Sequence, residues 1–210
     1  MKPKERVIAL TEPPHAANRR AQPLPRPSAG AKPLLMVDID GVISLFGAGA
    51  HAGPQRSPDA PAGSFHSIEG IPHFLSSTAA SHLLELASLF ELVWASGWEE
   101  RANEHLPHLL GMPAALPYLS FARSPGKGNA HWKLDAIDAY AGARPLAWID
   151  DAFTAECARW ASARAAPTLL VRTAPERGLT AREAQTLAGW ALALTEQVQV
   201  QGQEQEQAPG

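Results

Sequence analysis

Two aspartates, Asp38 and Asp40, directly follow a short apolar run, Leu34 to Val37. Such a run is typical of a strand buried on both faces of a parallel sheet, and ligands bind at the carboxyl ends of those strands. Because side chains alternate along an extended chain, the two aspartates should share a face if the strand runs straight through both. Neighbouring carboxylates repel each other unless one is protonated or a cation lies between them. The pair therefore predicts a cation site, and Mg²⁺ suits these hard oxygen ligands.

Two other interpretations of this pair are less favoured. A calcium-binding EF-hand loop requires a third oxygen ligand where Val42 stands, and Gly41 comes too early for that loop. Asp38 and Asp40 would be ordinary solvated turn residues if no ligand were involved, but the apolar run that leads directly into them disfavours a simple surface turn.

Ser96 and Gly97 follow a second apolar run, Leu92 to Trp94. A hydroxyl and backbone N–H groups at such a strand end can form a cradle for an oxyanion or a phosphate. A serine before a helix is also a common N-cap, so Ser96 alone is a weak signal.

Lys133 and a second acidic pair, Asp150 and Asp151, complete the set of polar candidates. A single lysine early in a helix is usually solvated, so Lys133 alone predicts nothing. Asp150 and Asp151 end another apolar run, and adjacent side chains of a strand point to opposite sides. One of these two aspartates is therefore expected to be a direct metal ligand.

Short apolar runs alternate with helical patterns from about residue 33 to 196, which predicts an α/β domain with a central parallel sheet covered by helices. Glu99 and Glu100 should lie in the first turn of the second helix, and Gly111 should end it. The expected strands are 34–39, 91–95, 117–121, 145–149 and 168–171, and the expected helices are 79–90, 98–110, 129–140, a segment ending near 165, and 180–195.

Three segments do not follow this alternation. Residues 1–32 form a Pro-rich basic arm and residues 197–210 a Gln/Glu-rich tail, and both compositions predict disorder. Residues 44–72 are rich in Gly, Pro, Ser and His, and we expect a β-hairpin flap with a floppy middle there. The histidines of this region, His51, His66 and His73, are spaced too irregularly for a zinc site and are expected to be solvated.

The whole-chain properties exclude several classes of protein. The formal net charge of −3 gives no basic field for tight capture of nucleic acid or of an anionic membrane. No apolar stretch approaches the roughly 18 to 20 residues of a membrane span, and the N-terminus lacks a signal-peptide pattern. A cytoplasmic protein is the expectation. Cys157, the single cysteine, is expected to be a buried structural thiol.

Taken in order, Asp-x-Asp, Ser, Lys and Asp-Asp resemble the four signature motifs of the haloacid dehalogenase (HAD) superfamily in its phosphatase form. The resemblance covers about residues 34–195. It implies a Rossmann-like three-layer sandwich, here with the small hairpin flap in place of a full cap domain. It also implies a Mg²⁺-dependent phosphomonoester hydrolase that acts through an aspartyl-phosphate. A receiver domain uses similar residues, but its acidic pair comes first in the chain.

The resemblance also implies a role for each motif residue. Asp38 would be the nucleophile and Asp40 the acid that protonates the leaving oxygen and then activates water. Ser96, with the backbone at Gly97, and Lys133 would hold the phosphoryl oxygens. The implied metal ligands are Asp38, the backbone carbonyl of Asp40, and Asp151, with Asp150 acting through water or behind the direct ligands.

The sequence around Ser96 and Asp150 further resembles a poorly characterised bacterial branch related to the HAD domains of RNA-repair proteins. An open site without a full cap suits either a small phosphorylated molecule or a macromolecule. Trp98 and Trp132 could stack on a base, with extra phosphates meeting Arg101, Arg123 and Lys127, or the two tryptophans could belong to the core. Two alternatives therefore stay open, a nucleic-acid end-processing phosphatase and a catalytically silent metal-holding binding module.

Overall fold

The computed structural model describes residues 32–46, 60–122 and 129–206, with side chains up to residue 197. The strands, in chain order, are β1 (Leu34–Val37), β2 (Ser44–Leu45), β3 (Gly63–Ile68), β4 (Ile71–Ser76), β5 (Glu91–Trp94), β6 (Leu146–Asp150) and β7 (Thr168–Arg172). The helices are α1 (Ser77–Leu86), α2 (Arg101–Leu110), α3 (Leu134–Ala141), α4 (Ala155–Ala163) and α5 (Ala181–Glu206), and a 3₁₀ turn at His131–Lys133 leads into α3.

The central sheet is parallel and has the strand order β5-β1-β6-β7. Alternate residues of β1 enter two separate hydrophobic clusters, Leu35 and Val37 on one face and Leu34 and Met36 on the other. Residues of α1, α2 and α5 complete the first cluster, and residues of α3 and α4 complete the second. The predicted three-layer α/β sandwich is confirmed. Burial on both faces explains why β1 is apolar throughout.

A small antiparallel sheet, in the order β2-β4-β3, lies within the predicted flap. Strands β3 and β4 form a hairpin whose two-residue turn has positive φ angles, 51° at Glu69 and 80° at Gly70. Such turns match the twist of the strands that they join. The hairpin is as predicted, whereas its supposedly floppy middle lies in 47–59, outside the described residues.

Three helix ends are explained by the residues that stand there. Ser76 accepts a hydrogen bond from the N–H of Ala79 and caps α1. Thr180 and Glu183 form a capping box before α5. Gly111 ends α2 in the left-handed conformation, with φ 67°, as predicted.

Two boundaries on the β5 side differ from the prediction. The expected strand at 117–121 is only a single bridge between Tyr118 and Trp94. Helix α2 begins at Arg101 instead of residue 98, because the chain turns at Glu99, which has a φ of 48°. The Glu99 carboxylate accepts a hydrogen bond from the N–H of Phe121, so it holds this turn instead of serving the helix dipole.

The predicted loose tail is corrected at its beginning, because α5 continues to Glu206. Glutamine and glutamate have good helix propensity, so the helix extends where no apolar periodicity announces it. Residues 1–31 of the predicted arm, residues 123–128 and the last four residues lie outside the described residues. Cys157 is buried, as predicted. Among the described helices, none has both the length and the apolar character needed to cross a bilayer.

Candidate active site

The ends of three neighbouring strands bring the predicted residues together. Asp38 follows β1, Ser96 follows β5 and Asp150 ends β6, and β1 is hydrogen-bonded to both of the other strands. Strand order reverses beside β1, which is where α/β sheets open a crevice. A cavity of about 570 Å³ lies at this edge. All seven residues predicted from the sequence line it: Asp38, Asp40, Ser96, Gly97, Lys133, Asp150 and Asp151.

Lys133 connects two of these carboxylates inside the protein. Its Nζ lies 2.9 Å from Asp38 Oδ2 and 2.7 Å from Asp150 Oδ2, and the side chain is 4% exposed. Burial alone would lower the pKa of Lys133, but the charges of Asp38 and Asp150 together raise it above its usual value. The lysine is therefore a fixed positive charge beside the predicted nucleophile.

Asp38, Asp150 and Asp151 each place a carboxylate oxygen within 4.8 Å of the others. Burial first, and then the charge of Asp38, raise the pKa of Asp150 to about 6 and also raise the pKa of Asp151. Lys133 offsets one of the three negative charges, which leaves an excess of two. A buried set of oxygen ligands with that excess fits a divalent cation such as Mg²⁺.

Within this cluster, the adjacent residues Asp150 and Asp151 differ in their surroundings. Asp150 is fully buried, and its two oxygens accept hydrogen bonds from Lys133 and from the N–H of Ala152. Asp151 is half-buried. This difference supports the prediction that Asp151 is the direct ligand and that Asp150 acts from behind it.

The loop that carries Asp151 is held closely against the loop after β1. Gly41 has a φ of 74°, and a Cβ built there would lie 2.5 Å from Asp151 Cγ. Thr173, which is buried, donates from Oγ1 to the carbonyl of Gly41 at 2.8 Å. Arg172 donates to the carbonyls of Asp151 and Phe153. The tight approach therefore requires a glycine at position 41.

Asp40 takes a different direction from Asp38. The strand predicted at 34–39 ends at Val37, and Asp40 makes only a single bridge to Ser44, so the condition for a shared face, a straight strand through both aspartates, is not met. The Asp40 carboxylate accepts a hydrogen bond from Trp98 Nε1 at 3.0 Å and is not part of the three-aspartate cluster. Burial is the main cause that raises the pKa of Asp40. A carboxyl group with a raised pKa can hold a proton for transfer.

The profile of the family described as "HAD domain in Swiss Army Knife RNA repair proteins" matches residues 34–184. The chain belongs to this family. Among curated proteins, none matches the chain significantly. Membership makes this chain a hydrolase-type domain of the HAD superfamily, related to the HAD domains of RNA-repair proteins.

The prediction made for His73 of this HAD domain is wrong. His73 is not a solvated loop histidine, because it lies half-buried in β4 and lines the cavity. Its Nδ1 lies 2.9 Å from Ser44 Oγ, and its ring packs edge-on against Trp98 with 5.0 Å between centroids. The alternation of β4 would place His73 on the same face as Leu75, but nothing in the sequence showed that this face meets the cavity.

Zinc is not supported in the described part of this HAD domain. The side chains close enough there to share a metal ion are three aspartates, with no histidine among them. His66 instead lies 2.8 Å from Ser64 Oγ on the hairpin. His51 lies outside the described residues.

Two residues of the HAD domain were also missed: Arg172, which donates to the loop that carries Asp151, and Thr173, which donates to the loop after β1. Each belongs to an ordinary strand end in the sequence, and no spacing singles them out. Their contacts arise only when β7 is placed next to β6.

Proposed function

We propose that this domain is a Mg²⁺-dependent phosphomonoester hydrolase that acts through an aspartyl-phosphate formed on Asp38. The observation that carries the proposal is the position of Lys133 Nζ between Asp38 and Asp150, beside a three-aspartate cluster. Such an arrangement places one fixed positive charge and a site for a divalent cation next to a single carboxylate nucleophile.

The Asp38 carboxylate is oriented by two contacts. Its Oδ1 accepts a hydrogen bond from the N–H of Ile39 at 2.8 Å, and its Oδ2 faces Lys133. An attacking carboxylate and a phosphate dianion repel each other, and Lys133 reduces that repulsion. Bound Mg²⁺ would add positive charge beside the same oxygens, held by Asp38, Asp151 and the carbonyl of Asp40. Positioning and electrostatic stabilisation supply most of the rate in phosphoryl transfer.

Two displacements complete the reaction. In the first, an Asp38 oxygen bonds to phosphorus, the bond from phosphorus to the leaving oxygen breaks, and Asp40 gives its proton to that oxygen. In the second, a water molecule gives a proton to Asp40 and bonds to phosphorus, and the bond between phosphorus and the Asp38 oxygen breaks, which releases phosphate and restores Asp38. Ser96 and the N–H groups near Gly97 would hold phosphoryl oxygens, and the position of both residues on the cavity lining supports this role.

The test is phosphate release from a panel of phosphomonoesters with Mg²⁺ and with EDTA, for the wild type and Asp38→Asn. Release should require Mg²⁺ and be abolished by the substitution, while the melting temperature stays close to that of the wild type. An Asp38→Asn rate near the wild-type rate would remove Asp38 from the nucleophile role. Release from no substrate, despite Mg²⁺ binding, would favour the silent binding module.

A second candidate is an end-processing phosphatase of nucleic acid. The family description names RNA-repair proteins, and both Trp98 and Trp132 line the cavity, where aromatic rings can stack on bases. Salt-sensitive binding and dephosphorylation of 5′- or 3′-phosphorylated oligonucleotides, without activity on sugar phosphates, would support it. Equal activity on sugar phosphates would contradict it.

A further inference from the structure

The hairpin side of the cavity is apolar although it is open to solvent. Phe46 and Ile71 are 47% and 59% exposed, and both line the cavity together with Ile68. We call the surface formed by Phe46, Ile68, Ile71, His73 and Trp98 the hairpin wall. Large apolar side chains exposed in a cleft commonly mark a ligand surface.

The position of Asp40 fixes which part of a substrate would meet this wall. In the proposed function, on which this inference rests, Asp40 protonates the leaving oxygen. Trp98 donates a hydrogen bond to Asp40, and His73 packs against Trp98. The hairpin wall, which includes Trp98, therefore adjoins the proposed acid, on the side where the leaving alcohol would depart.

The polar groups at the rim of the wall do not favour a second anionic group. Arg101 and Glu69 are paired at 3.0 Å, so their charges offset each other. The His73 Nδ1 is already engaged by Ser44.

We propose that the hairpin wall is a subsite for a planar, uncharged ring carried by the leaving alcohol, which makes the substrate a nucleoside phosphate. The base would lie against Trp98, Phe46 and Ile71, and the scissile phosphate would face Asp38 and Lys133. The same chemistry occurs in a free mononucleotide and at the end of a nucleic-acid strand. Sugar and polyol phosphates lack the ring and leave the wall uncovered.

The test is calorimetric binding to the Asp38→Asn protein in Mg²⁺, which removes turnover from the measurement. Adenosine 5′- and 3′-monophosphate should bind at least about tenfold more tightly than ribose 5-phosphate, the usual scale of base stacking on aromatic side chains. Equal affinity for nucleotide and sugar phosphate overturns the subsite. A 5′-phosphorylated dinucleotide identifies the source, because tighter binding than the mononucleotide indicates a strand end and equal binding indicates a free nucleotide.

Matched variants locate the ring. Phe46→Ala and Ile71→Ala, each added to Asp38→Asn, should weaken nucleotide binding about threefold to tenfold and leave ribose 5-phosphate unchanged. Phe65→Ala is the control, because Phe65 is 55% exposed on the same hairpin but packs on Phe74 and does not line the cavity. An equal loss in the Phe65 variant would overturn the placement, and unchanged melting temperatures verify folding.

The two proposals fail in different ways. If the wild type releases phosphate from no substrate but Asp38→Asn still prefers nucleotides, the hydrolase proposal is wrong and the subsite remains. If the wild type hydrolyses glycerol 3-phosphate as efficiently as nucleotides, the hydrolase stands and the subsite is wrong.

Discussion

The indole N–H of Trp98 donates a hydrogen bond to Asp40 Oδ2 at 3.0 Å. This contact fixes the carboxyl group that the proposed reaction uses as its acid. Trp98→Phe keeps an aromatic ring beside His73 and removes the N–H donor. We expect kcat for an alkyl phosphate to fall about tenfold, because general-acid catalysis depends on the position of the proton donor and contributes about 10²- to 10⁴-fold in total.

The measurement compares two leaving groups. With 4-nitrophenyl phosphate, whose leaving group needs little protonation, the same variant should lose at most about twofold in kcat. Trp160→Phe is the control, because Trp160 donates to Asp138 away from the cavity. An equal loss with both substrates would indicate general disruption instead of a role in positioning Asp40.

Most residues of the candidate site could be predicted from the sequence because they follow or end an apolar run. Asp38, Ser96 and Asp150 end strands that are buried on both faces, and the carboxyl ends of parallel strands meet at one edge. The grouping of Lys133 with them was predicted from motif order, since a lysine in a helix has no local signal of its own. The hairpin was predicted from the composition of residues 44–72, and the structure places its turn at Glu69 and Gly70.

Two of the remaining features depend on tertiary contacts that no local pattern encodes. Asp40 turns away from Asp38 because the strand ends at Val37, and alternation places both on one face only where a strand runs straight through them. His73 belongs to the site only because β4 folds over Trp98. Helix α5 extends to Glu206 on helix propensity without apolar periodicity, so a periodicity argument ended it too early.

Lys133 should be required for both stability and catalysis. Lys133→Ala leaves Asp38 and Asp150 buried together without their shared cation. Breaking a buried ion pair from one side costs about 3 to 5 kcal/mol in the free energy of unfolding. We also expect kcat to fall at least about 10²-fold, the scale for removing one group that stabilises transition-state charge.

Urea unfolding in EDTA and steady-state kinetics in Mg²⁺ measure the two effects. Adding Asp150→Asn to Lys133→Ala should recover part of the stability, because it removes one of the uncompensated charges. Lys32→Ala, at an exposed lysine that donates to the carbonyl of Ala87, is the control. A slightly raised KM with unchanged kcat would show that Lys133 has no role in the chemical step.

The metal-free protein should lose stability as the pH rises from about 4 to 7. Burial first, and then Asp38, raise the pKa of Asp150 to about 6, above its ordinary value of 3.8. The folded state therefore keeps a proton that the unfolded state has lost, so this contribution is present at low pH and disappears as the pH passes 6. The burial of Asp40 and Asp151 raises their pKa values in the same direction.

Melting temperatures in EDTA test this sign. Between pH 4.5 and 7, the melting temperature of the wild type should fall by on the order of 5 °C more than that of Asp150→Asn. Asp135→Asn, at an exposed aspartate of α3, should keep the wild-type slope. Because Mg²⁺ binds ionised carboxylates, its stabilising effect should be larger at pH 7 than at pH 5. A larger effect at pH 5 would contradict the three-aspartate site.

Gly41→Ala should weaken Mg²⁺ binding more than it weakens the fold. A Cβ at this position would lie 2.5 Å from Asp151 Cγ, so the carboxylate must move out of the cluster. Displacing the support of a metal ligand costs about 10- to 100-fold in affinity, and the left-handed backbone adds about 1 to 2 kcal/mol of strain.

Gly111→Ala is the matched control, because Gly111 also has a positive φ, 67°, but a Cβ there meets no atom within 4 Å. Both variants should lose similar backbone stability in EDTA, and calorimetric Mg²⁺ titration should separate them. Equal Mg²⁺ affinity in the two variants would mean that Asp151 does not hold the ion, which would leave Asp38 and Asp150 as its side-chain ligands.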